Sequence, residues 1–96
     1  MKNKKILKLM EKLNVWATKE NIGIDKKVKS QINGIIIGLW VNEEDVAIRK
    51  LAHNVSKSTN RYFKGKLRYA EYHKMLTALY DTFASKYIPE PEKLEN

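Results

Sequence analysis

Apolar residues recur every three to four positions in four separate stretches of this chain, and no proline interrupts them before Pro89. A stripe at that spacing is one face of a helix. The alternation that marks a half-buried strand is missing, as are the Asn-Gly and Asp-Gly pairs that turn hairpins.

The first stretch, about residues 4–19, carries Ile6, Leu9, Met10, Leu13, Trp16 and Ala17, with Lys4, Lys5, Lys8 and Lys12 largely outside the stripe. Asn21-Ile22-Gly23 reads as its stop, with Gly23 free to turn left-handed. The second stretch starts near Asp25, a good N-cap. Its stripe is Val28, Ile32, Ile35, Ile36 and Leu39, and Ile37, Trp40 and Val41 widen it, so it is expected to be the most buried helix. Gly34 and Gly38 lie four apart on one face, where a neighbouring helix or large ring is expected to press close. Asn42 reads as the cap of a third helix whose first turn holds Glu43, Glu44 and Asp45 as solvated carboxylates facing the helix dipole. No glycine or proline forces a break at Asn42, so a continuous second-plus-third helix stays open. The third stripe is Ile48, Leu51, Ala52, Val55, Thr59 and Tyr62, with Phe63 beside it, ending at Lys64-Gly65-Lys66. The fourth, about 69–87, repeats Tyr72, Leu76, Leu79, Phe83 and Tyr87, with Met75 and Tyr80 flanking. Ile88-Pro89-Glu90-Pro91 ends it. Four amphipathic helices on short connections predict an all-α, antiparallel four-helix bundle over residues 1–88, with a short polar C-terminal tail over 89–96.

A chain of 96 residues builds one core and no inter-domain cleft. Without cysteine, disulfides, thiolate zinc sites and thiol catalysis are excluded. The basic start resembles a signal peptide's first segment, yet Lys8, Glu11 and Lys12 break up any apolar continuation. The longest apolar run, Ile35 to Val41, falls well below the roughly 20 residues of a membrane span. The chain is therefore expected to stay in the cytoplasm. Its charge of +8 is uneven: residues 1–66 carry +9 and residues 67–96 carry −1. A basic half implies an anionic partner, such as nucleic acid, a membrane surface or an acidic protein.

Reactive centres are not visible. His53 and His73 fall on different helices beside the apolar stripes and lack metal-ligand spacing with each other or with nearby carboxylates. No serine lies in a nucleophile elbow, and no phosphate-cradling glycine pattern occurs. The expectation is a binding protein, not an enzyme, with neither cofactor nor metal. Lys57, Arg61, Lys64, Lys66 and Arg68 interleave with Tyr62, Phe63 and Tyr69, so a small basic nucleic-acid-binding bundle is one reading. Tyr62 on the core stripe, and the lack of a helix-turn-helix turn, count against it. A third reading is a helical adaptor that dimerises through exposed aromatics.

The stretches Leu51-Ala52-His53-Asn54-Val55, Tyr62-Phe63-Lys64-Gly65-Lys66-Leu67-Arg68-Tyr69-Ala70-Glu71-Tyr72, Met75-Leu76 and Leu79 resemble the pediocin-like (class IIa) bacteriocin immunity proteins, the enterocin A immunity type most of all. The likeness covers about residues 46–87, and the first half only by helix pattern. Two departures stand out: Ala70 where members place a Thr or Ser cap, and a short tail. The resemblance implies a non-enzymatic cytoplasmic protein that protects its producer from a pore-forming peptide. It would bind, from inside, a mannose-type phosphotransferase permease carrying the bacteriocin, and it could sit peripherally on the anionic inner membrane face. The residues expected to make contact are Lys64, Lys66, Arg68, Tyr69, Lys86 and Tyr87. The alternative for Tyr69 and Tyr87 is boundary packing.

Overall fold

The computed structural model describes residues 2–19 and 22–87. These form four helices: α1 (Lys2–Thr18), α2 (Lys26–Asn42), α3 (Val46–Phe63) and α4 (Tyr69–Tyr87). The expected stop at residues 88–91 and the tail over 89–96 lie outside the described residues.

Each end of the bundle is tied by a long-range contact. At one end the Tyr69 hydroxyl donates to the Lys19 carbonyl, joining the start of α4 to the α1–α2 connection. At the other, Lys86 and Tyr87 at the end of α4 reach Glu43 between α2 and α3. The helices therefore alternate in direction. α1 packs on α2 and α4, α3 packs on the same two, and among the described residues no helix pair brings its backbones together across the diagonal. Ile6, Met10, Leu13, Ile32, Ile35, Leu39, Ile48, Val55, Leu76, Leu79 and Phe83 fill the shared core.

Local chemistry sets the boundaries. Asp25 caps α2 as expected, its Oδ1 accepting the Lys27 N–H at 2.8 Å. The α2–α3 join is a true break, as expected, but a different residue caps α3. Asn42 closes α2 instead of capping α3, its side-chain amide donating to the Gly38 carbonyl at 2.8 Å. Asp45 is the cap of α3, accepting from Ala47 and Ile48. α3 ends as a Schellman turn: Lys66 N–H reaches the Arg61 carbonyl, Gly65 N–H reaches that of Tyr62, and Gly65 takes the left-handed φ of 77°. The first bond of α4 runs from Tyr72 N–H to the Arg68 carbonyl. Arg68 thus holds the cap position, and Ala70, which had been compared with a family cap, lies inside the first turn.

α2 is not the most buried helix. Ile37 and Val41 are 61% and 69% exposed and Trp40 is 41% exposed. The buried arc of α2 is the narrower set Ile32, Ile35, Ile36 and Leu39. A helix flanked by only two neighbours can hide only the arc between them.

One polar pair lies wholly in the core. The Thr59 hydroxyl donates to the Val55 carbonyl at 2.7 Å, so its single proton is used. The Tyr72 hydroxyl, 2.7 Å from Thr59 Oγ1, is then the donor to it. Burial pushes the Tyr72 phenol up to about 12. Tyr62 stacks on Tyr72 with ring centres 4.8 Å apart.

The two α2 glycines differ. A Cβ on Gly38 would stand 2.9 Å from a Leu9 methyl, so here α1 does press close. Gly34 has nothing within 4 Å. Gly34→Ala is therefore expected to stabilise the fold by about 0.5–1 kcal/mol, through helix propensity and a less flexible unfolded chain. Gly38→Ala should gain less, because Leu9 must turn away. Thermal unfolding of the two variants against the parent chain measures the difference.

Candidate functional site

The topology gathers positive charge at one end. The α1–α2 connection and the α3–α4 turn share it, so Lys19, Lys26 and Lys27 join Lys64, Lys66 and Arg68, all six exposed. Among the described residues Asp25 and Glu71 are the nearby carboxylates, and Asp25 is engaged as a cap. The Schellman closure and the Tyr69–Lys19 bond hold this turn in one shape. Its chemistry is that of exposed cations carried on a fixed backbone turn. It can bind phosphates or carboxylates on a surface.

The rings beside these cations are used inside the fold. Tyr62 is buried against Tyr72, and Phe63 meets the same ring edge-on with centres 6.4 Å apart. Tyr69 is half-buried, its ring 5.5 Å from that of His73. No flat row of exposed rings is left there to stack bases. His53 lies elsewhere, against Trp40, and among the described residues no three His, Asp or Glu side chains group as a metal would require.

The six residues expected to make contact do not form one surface. Lys64, Lys66, Arg68 and Tyr69 belong to the cationic end, whereas Lys86 and Tyr87 lie about 27 Å away along α4 at 1.5 Å per residue. At that far end they serve the fold. Glu43, 3% exposed, takes Lys86 Nζ on Oε1 at 2.8 Å, the Tyr87 hydroxyl on Oε2 at 2.7 Å and the Asp45 N–H on Oε1 at 2.9 Å. The expected solvated carboxylate is thus a buried one. Burial works to raise its pKa, but the bonds from Lys86, Tyr87 and Asp45, with the Lys86 charge, outweigh that and hold it below the ordinary glutamate value. Lys86 is held above its usual range, chiefly by the same bond. Tyr87 is raised by burial first and by its bond to Glu43 second. Nothing near Glu43 in the sequence announces these partners, which lie 43 and 44 residues on.

No family model, no curated protein and no solved structure matches this chain.

Because Glu43 is easier to ionise folded than unfolded, its contribution is complete above the ordinary glutamate pKa and fades as pH falls through the lower folded value. Glu43→Gln is accordingly expected to unfold at lower urea concentration than the parent at about pH 7, with the gap closing as pH falls below the ordinary glutamate range. Urea midpoints across that fall in pH supply the check.

Proposed function

We propose that this chain is an immunity protein of the pediocin-like bacteriocin type, acting by contact and not by catalysis. Protection would come from binding a mannose-type phosphotransferase permease that carries the bacteriocin, on its cytoplasmic side. The observation that carries the reading is the turn Lys64–Tyr69. It lies within the segment that resembles the family, its three cations are exposed, and two independent sets of hydrogen bonds fix its shape. Rigid presentation lowers the ordering cost of association, and cations on a fixed turn steer it toward an acidic surface. Four antiparallel helices agree with the fold the resemblance implies. The contact set is narrowed to Lys64, Lys66 and Arg68 together with Lys19, Lys26 and Lys27, while Tyr69 braces the turn.

Expression in a host sensitive to pediocin-like peptides is expected to raise the inhibitory concentration of at least one such peptide. Lys64→Gln/Lys66→Gln/Arg68→Gln should lose at least tenfold of that protection with an unchanged circular dichroism spectrum. An unprotected host across a panel of these peptides overturns the reading.

A further inference from the structure

Five large apolar side chains left in water stand on one side of the bundle: Val15 of α1, Ile37, Trp40 and Val41 of α2, and Val46 at the start of α3. Their placement follows from the helix. Gly38 faces α1 through Leu9, and Trp40 faces α3 through His53 and Arg49. Passing from one to the other through the core crosses Leu39. Passing around the outside crosses Ile37 and Val41, at 100° per residue. Ile37 and Val41 are therefore the outermost line of α2, a ridge and not the floor of a cleft.

A trough runs along each side of that ridge, and each is edged with cations. Between α1 and α2 lies one of about 280 Å³, with Lys5, Lys8 and Lys12 along it. It leads toward a larger one of about 510 Å³ at Val15 and the open backbone of Gly34. Between α2 and α3 lies another of about 290 Å³, edged by Arg49 and Lys50. Arg49 rests its guanidinium 4.9 Å from the Trp40 ring centre. Of the acidic residues at the foot of this face, Asp45 is committed to capping α3 and lies 3.7 Å from Lys86, and Glu44 stands beside it.

We propose that this face docks on an anionic lipid bilayer. Ile37, Trp40 and Val41 enter the headgroup boundary, and Lys5, Lys8, Lys12, Arg49 and Lys50 lie over the phosphates on either side. Three observations select a bilayer over a protein partner. The apolar residues crown an outward ridge, which a broad soft surface meets before it reaches either trough. Basic residues flank the ridge on both sides, the arrangement that draws a protein to anionic headgroups. The exposed ring is a tryptophan beside an arginine, a pairing suited to the membrane–water boundary. No helix among the described residues is long and apolar enough to cross a membrane, so the mode is to lie on the surface. The inference deepens the proposed function by separating the lipid-facing side from the receptor-facing turn. It rests on that reading only for bringing the chain to a bilayer, and vesicles test it with neither bacteriocin nor permease.

The measurement is co-sedimentation of the full chain with phosphatidylcholine vesicles, with and without phosphatidylglycerol, alongside tryptophan fluorescence. Binding should require phosphatidylglycerol and bring a blue shift that Trp40→Phe removes, since Trp16 is already buried. Ile37→Asn/Val41→Asn should weaken binding at least tenfold, and Lys5→Gln/Lys8→Gln/Lys12→Gln by about a hundredfold. All these positions are exposed, so the folded spectrum should persist. Failure to sediment with anionic vesicles at low salt overturns the inference. So does binding that survives both variants yet is lost in the Lys64/Lys66/Arg68 variant, and so does a dimer broken by Ile37→Asn/Val41→Asn in a chain that ignores lipid.

Discussion

Glu43 joins three helices at once. Its extended backbone ends α2, its carboxylate holds the N–H of the residue that caps α3, and the same two oxygens receive Lys86 and Tyr87 from the end of α4. The chain between Asp25 and Phe63 has no proline or glycine at the join, so local propensity alone would let one helix run through. The tertiary bonds decide otherwise. A buried carboxylate without partners would cost several kcal/mol, and the bundle supplies three donors at the one place where α2 must reverse. The four-helix ring, and with it the separation of a cationic end from an apolar ridge, follows from that reversal.

Most of the fold was legible from the chain because it rests on local rules. Gly23 adopts the left-handed φ expected of it, Gly65 ends α3 as read, Asp25 caps where it should, and the stripes of α1, α3 and α4 became the buried faces. The errors came where a residue's role depends on distant ones. Ile37, Trp40 and Val41 read as core because hydrophobicity carries no information on how wide an arc two neighbours can cover. Glu43 read as a solvated helix start because its partners come from the far end of α4. Lys86 and Tyr87, read as contact residues, also hold Glu43, a role that the same separation in sequence conceals. Of the expected contact set, Lys64, Lys66 and Arg68 remain exposed together, while Lys19, Lys26 and Lys27 join them only through the antiparallel topology.

The surface then divides by chemistry. One end offers exposed cations with their neighbouring rings turned inward. The side made by α1, α2 and the start of α3 offers apolar groups between cations. A cation array acts through long-range, salt-screened attraction, and an apolar ridge acts only on contact. The two surfaces are suited to successive stages of one encounter, or to two different partners.

The ring-like order of the helices also has a kinetic consequence. Three of the four interfaces join helices consecutive in the chain, separated by connections of seven residues or fewer. Only the seam between α1 and α4 asks the whole chain to close on itself. Such topologies have low contact order and reach the native state within microseconds to milliseconds. The α1–α4 seam is where loop-closure entropy weighs most, so it is expected to form last and to part first when the chain opens without unfolding completely.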